Sequence, residues 1–153
     1  MENLKKYLKT ILQIRPPETQ LFDSNELQKR QTILFDVELK KLLSEFDNTK
    51  NNILRYVSEN KQPNKDIIET LVITEVGEIN FHLYNLISLA NFNNNLKSFL
   101  SNWSKLFFNK VETIQNSYEN SPNKTSIIEL IEMSHLLEDG KKDFLTQLRK
   151  YKY

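Results

Sequence analysis

Apolar side chains recur every three or four residues over four long stretches of this chain, and Pro, Asn and Ser separate the stretches. That period follows the 3.6 residues of a helical turn, so each stretch reads as an amphipathic helix with one buried seam. The clearest seam is Phe35, Leu39, Leu42, Phe46, Thr49, Ile53 and Tyr56. Asp23 and Glu26 precede it with capping-box spacing, and neither Gly nor Pro interrupts the chain from there to Pro63. One helix of about 36 residues, roughly 54 Å long, is therefore predicted. Its weak point is Asp47-Asn48-Thr49, whose side chains compete for backbone hydrogen bonds and can kink or split the helix.

The second stretch should begin near Asn64 to Asp66, run to about Ala90, and bury Ile68, Val72, Val76, Ile79, Leu83 and Leu86. Opposite that stripe lie Gly77, Phe81, Tyr84 and Ser88, a second apolar face. A glycine inside a helix costs about 1 kcal/mol relative to alanine unless something packs closely on it, so this helix is expected to lie between two neighbours. A third stretch follows Asn93-Asn94-Asn95, turns Leu96, Phe99, Leu100, Trp103, Phe107, Val111 and Ile114 inward, and ends in the loop from Asn116 to Asn123.

Ser126 and Glu129 form a second capping box, opening a last helix with Leu130, Met133, Leu137, Phe144, Leu148 and Tyr151 on one face. That alignment requires the helix to continue through Gly140. If the helix closes there, residues 141 to 153 become a short basic helix or tail. At the other end, Asn3 to Ile14 forms a short amphipathic segment with Leu4, Tyr7, Leu8, Ile11 and Leu12 on one side. Arg15-Pro16-Pro17 stops it, because proline lacks the amide and restricts its predecessor, so residues 1 to 17 read as an arm. The pattern predicts one all-α domain over residues 1 to 153, an antiparallel bundle of four main helices plus a short N-terminal one.

Composition narrows this picture in three ways. With 2 Gly and 4 Pro in 153 residues the chain has few tight-turn positions, which argues against a β-sandwich or doubly wound sheet. With no Cys it can form no disulfide and offers no thiolate for zinc, iron–sulfur or nucleophilic chemistry, which favours a reducing, intracellular compartment such as the cytoplasm. The N-terminus lacks an apolar signal core and no stretch is long and apolar enough to span a bilayer, so neither secretion nor membrane insertion is expected. The 21 basic residues against 20 acidic give a net charge of +1, without the excess expected of a dedicated nucleic-acid binder.

Candidate chemistry is sparse. His82 and His135 are the two histidines, with Glu78 one turn before the first and Glu132 three residues before the second. Carboxylate-bridged metal bundles repeat Glu-x-x-His on two helices and take a Glu from each of two more. Here one pair has the other spacing, and neither Glu38 nor Glu45 of the long helix is marked as inward, so boundary histidines bonded to helix carboxylates are the simpler reading. His135 to Gly140 resembles the His-x-Leu-Lys-Gly element of phosphotransfer domains, but Glu138 stands where that element has a lysine to neutralise a phosphoryl group. Lys97, Lys105 and Lys110 accompany Trp103, Phe107 and Phe108, a mixture that can stack bases, although aromatics at helical spacing are usually core. No catalytic residue, cofactor or small-molecule substrate is expected.

The surplus apolar surface points instead to a non-enzymatic adaptor or complex subunit, binding a protein partner or itself through Gly77, Phe81 and Tyr84, with Leu8 and Leu12 of the arm as further contacts if the arm is free. The plainer alternative is that the first helix folds back over Gly77, Phe81 and Tyr84 and closes a self-contained bundle. An alternative is an accessory subunit of a nucleic-acid complex, with Lys141, Lys142, Arg149, Lys150 and Lys152 on phosphates.

Overall fold

The computed structural model describes residues 24–59, 65–119 and 123–151. These form four long helices: α1 (Ser24–Glu59, 36 residues), α2 (Lys65–Leu89, 25 residues), α3 (Asn94–Glu119, 26 residues) and α4 (Asn123–Leu148, 26 residues). A one-turn 3-10 helix, Ala90–Phe92, links α2 to α3. Among the described residues there is no strand, and the architecture is an all-α bundle. The Asn3–Ile14 segment with Leu8 and Leu12, Asp23 of the first capping box and Lys152 lie outside the described residues, as do the side chains of Ile68 and Ser126.

Each helix packs on its neighbours in sequence, and α4 closes the ring against α1. Ascending positions on α1 meet descending ones on α2, Glu38 beside His82 and Thr49 beside Glu75, so the pair is antiparallel. The same holds for α3 and α4, where Phe99 stacks on Tyr151 and Trp103 meets Phe144. The seams read from the sequence converge on one core. Phe35, Leu42, Phe46 and Ile53 are buried from α1, Val72, Val76, Ile79, Leu83 and Leu86 from α2, and Leu130, Met133, Leu137, Phe144 and Leu148 from α4. On α3, Leu96, Phe99, Leu100, Trp103, Phe107 and Val111 are buried.

An aromatic cluster joins three of the four helices. Phe46 of α1 meets Trp103 and Phe107 of α3 edge-on, with ring centroids 6.2 and 5.6 Å away, and Trp103 stacks on Phe107 at 5.0 Å. Phe144 of α4 stands edge-on to Trp103 at 4.9 Å. The Trp103 Nε1–H donates to Asp143 Oδ2 at 3.0 Å, which satisfies the indole where it leaves the core.

Two points that the sequence left open are decided, and one boundary is corrected. First, α1 is one continuous helix through Asp47-Asn48-Thr49. The competing side chains find partners on other helices: Asp47 accepts a 2.7 Å hydrogen bond from Lys141 Nζ, and the Thr49 hydroxyl donates to the Glu75 carbonyl. Second, α4 starts at Asn123, three residues ahead of the predicted cap at Ser126. Third, α4 passes through Gly140 without ending, so residues 141–148 belong to the bundle and do not project as a tail.

The two glycines do opposite things. A Cβ built on Gly140 would stand 2.8 Å from the Phe107 ring, inside contact distance, so glycine there lets α3 approach α4. A Cβ on Gly77 would meet nothing within 4 Å. Gly77→Ala is therefore expected to raise stability in urea unfolding by about 0.5–1 kcal/mol through helix propensity alone. Gly140→Ala gains the same propensity but drives a methyl into a ring already wedged between Phe46 and Trp103, for a net loss on the order of 1 kcal/mol. Equal stabilisation by both substitutions would show that the Phe107 ring yields without cost.

Candidate functional site

The inner face of α2 is filled by aliphatic side chains, and the helix contributes no aromatic ring to the core. Its two aromatic residues are outside. Phe81 is 57% exposed and Tyr84 68%, and Ile73, two turns before Phe81 on the same side, is 64% exposed. Gly77 sits among them and is itself exposed, with open space above it. The sequence pattern brought Gly77, Phe81 and Tyr84 to one face, and the structure places them there; it missed Ile73, although the four-residue step from Ile73 to Gly77 carries the signal.

This face leads into a groove between α2 and α3 of about 670 Å³. Val76 and Gly77 of α2 and Phe108 and Val111 of α3 line it, with Lys105 and Glu112 at the α3 edge. The α2–α3 pairing is the sparsest in the ring, which leaves the groove open along its outer side. Along its sequence α2 carries Asp66, Glu69, Glu75 and Glu78 against one lysine, Lys65, and Glu75 among these is turned toward Asn52 of α1.

A polar seam fixes how α2 is turned. His82 Nδ1–H donates to Glu38 Oε1 at 2.6 Å, and Asn85 Nδ2 donates to the same oxygen at 3.1 Å. Both side chains of the Glu38–His82 pair are nearly buried, at 11% and 12% exposure. Two turns away, Glu75 accepts from Asn52 Nδ2 at 3.2 Å. Burial pushes the Glu38 carboxyl up, but the hydrogen bonds from His82 and Asn85, the imidazole's charge and Lys41 outweigh it, and the group is held below the ordinary glutamate range. Phe81 lies edge-on to the His82 ring at 5.6 Å, so the exposed face and the seam adjoin.

The remaining candidates separate. His82 is bound to Glu38, which the sequence gave no reason to turn inward, and not to Glu78, which is exposed. His135 and Glu132 are exposed on α4. The quartet Glu78, His82, Glu132 and His135 is thus not assembled, and among the described residues no three His, Asp or Glu side chains converge as a metal site. Of the basic residues, Lys141 pairs with Asp47 at 2.7 Å and Lys142 with Glu138 at 3.7 Å, while Arg149 and Lys150 are exposed beyond the end of α4. Trp103 and Phe107 are core residues. A second groove of about 490 Å³ runs between α3 and α4 past Leu106, Lys110 and Asp143. Hydrogen bonds from Gln147 and then Trp103 hold the Asp143 carboxyl below its ordinary range.

The class these features define is an antiparallel four-helix bundle that leaves large apolar side chains exposed on its outer faces, Ile73, Phe81 and Tyr84 of α2 among them. No family model, curated protein or solved structure matches the chain. Among the described residues no helix is long and apolar enough to cross a membrane.

Because the Glu38 carboxyl is depressed in the folded state, its contribution to stability is present above the unfolded-state pKa and is lost as pH falls through the folded one. Urea unfolding of the wild type should therefore weaken on acidification from about pH 5 to pH 3 more steeply than that of Glu38→Gln, which cannot ionise. Parallel slopes for the two proteins would remove the pair from the account of α1–α2 docking.

Proposed function

We propose that this protein is a non-enzymatic helical adaptor, or a subunit of a larger assembly, which binds a protein partner through the outer face of α2. The observation that carries the reading is the exposure of Ile73, Phe81 and Tyr84 around Gly77, on a helix whose inner face is already occupied. Contiguous apolar surface on a soluble domain marks an interaction site more often than anything else, and a helical face bordering a groove suits an amphipathic helix laid along it. The uncovered glycine supports the same reading, since a partner side chain seated there would use the space that the fold leaves empty. Exposed Asp66 and Glu78 on α2 favour basic residues on the α2 side of the partner helix, while Lys105 and Glu112 at the α3 edge balance one another. The absence of Cys suits work in a reducing cell interior. The nucleic-acid alternative rests on less, because Lys141 is engaged with Asp47 across the bundle and Lys142 stands beside Glu138 on its own helix.

Phe81→Asp together with Tyr84→Asp changes only exposed positions. Far-ultraviolet helicity should be preserved and stability should change by no more than about 0.5 kcal/mol. Capture of the partner from native-host extract, read by mass spectrometry against the wild type, should be lost. Unfolding of the variant would place this face in the core, and undiminished capture would move the binding surface elsewhere.

A further inference from the structure

We infer that the partner of the α2 face is a second copy of this chain, which lays the outer stripe of its α1, Leu27, Ile33, Leu34 and Val37, along Ile73, Gly77, Phe81 and Tyr84. The inference names the partner in the reading above and rests on it. Two faces of unlike charge on one chain select this occupant.

α1 has 36 residues, where the other three long helices have 25 or 26. Phe35, where the buried seam of α1 begins, stands edge-on to Phe92 at 6.0 Å, which sets it level with the α2–α3 link. The segment from Ser24 to Leu34 therefore runs about 16 Å past that end of the bundle. Leu27 is 44% exposed, Ile33 62%, Leu34 55% and Val37 48%. At helical spacing they form a stripe centred on Val37, on the side of α1 turned away from Phe35, Leu42 and Phe46.

The two stripes match in length and in charge. Leu27 to Val37 covers about 15 Å of α1, and Ile73 to Tyr84 about 16 Å of α2. Around the α1 stripe stand Lys29, Arg30, Lys40 and Lys41 against Glu26 and Asp36, all at exposed positions, whereas α2 exposes Asp66 and Glu78. Pairing α2 with α2 would oppose carboxylate to carboxylate, and pairing α1 with α1 would oppose cation to cation. Charge therefore favours the unlike pair.

Charge also sets the direction. With the apolar stretches aligned antiparallel, Lys40 and Lys41 fall beyond Ile73, toward Asp66. Parallel alignment would carry them past Tyr84, and α2 has no carboxylate after Glu78. In the antiparallel pair Ile33 and Leu34 lie over Gly77, where a built Cβ meets nothing within 4 Å. Because the two faces differ, each docked copy leaves one of each kind open, and copies add head to tail. One helix lying on another over about 16 Å is a small interface, below the roughly 1,200 Å² of standard ones, so the assembly is weak and reversible.

Sedimentation velocity of the purified full chain over a dilution series tests this, with variants at exposed positions only. The wild type should grow with concentration past two copies. Ile33→Asp with Val37→Asp spoils the α1 stripe, and Phe81→Asp with Tyr84→Asp spoils the α2 face. Each doubly substituted chain alone should stay monomeric with unchanged far-ultraviolet helicity. Mixed, the two should form a complex of one copy each that grows no further, because each supplies the face the other lacks. Lys40→Glu or Asp66→Lys alone should weaken wild-type association about fivefold, and the two in one chain should restore it. A wild type monomeric at every concentration, variants that still associate alone, no complex on mixing, or no recovery on reversing both charges would each overturn the inference. The reading above fails separately: it stands if capture from extract depends on Phe81 and Tyr84 while purified chains ignore one another, and falls if capture is indifferent to them.

Discussion

Ring packing among Phe46, Trp103, Phe107 and Phe144 is the contact on which the bundle depends, because it ties α1, α3 and α4 into one unit. Aromatic pairs supply large buried areas and an additional preference for stacked or edge-on geometry, so a few rings fix both spacing and rotation of the helices that carry them. The approach of α4 to α3 in turn requires the missing side chain at Gly140, where Phe107 fills the space. That is why α4 tolerates a glycine in mid-helix and why the helix continues through it.

α2 is held by different means. Its inner face is Val, Ile and Leu, which fill volume but specify rotation weakly, and the polar seam with α1 supplies what the aliphatic contacts lack. Glu38 with His82 and Asn85, and Glu75 with Asn52, are satisfied in one register; a slide by one turn would leave a buried carboxylate without its donors. Locking α2 to α1 in that way also decides where Ile73, Phe81 and Tyr84 point. The exposed face is thus a consequence of the buried pair.

Most of the architecture was readable from periodicity. All seven residues of the α1 seam are buried or half-buried, and the helix limits fall within a few residues of those predicted. The points that stayed open share a cause: their outcome is set by partners remote in the chain. Asp47 looked like a helix breaker because its cation, Lys141, is 94 residues away. Glu38 carried no mark of burial because His82, 44 residues on, is what makes its burial tolerable. Gly140 admitted two readings until the position of Phe107 chose between them. The outer face of α2 was legible for a related reason: apolar residues on both sides of one helix cannot all be covered by a four-membered ring.

The connection between α2 and α3 adds a mechanical consequence. Ala90–Phe92 and Asn93 clasp the two helices at one end, and the groove opens about ten residues from that clasp, from Asn80 on α2 and Ser104 on α3. Beyond that clasp the two walls of the groove are set from behind, α2 by its polar seam with α1 and α3 by its rings against α1 and α4, so its width is inherited from contacts on the far side of each helix.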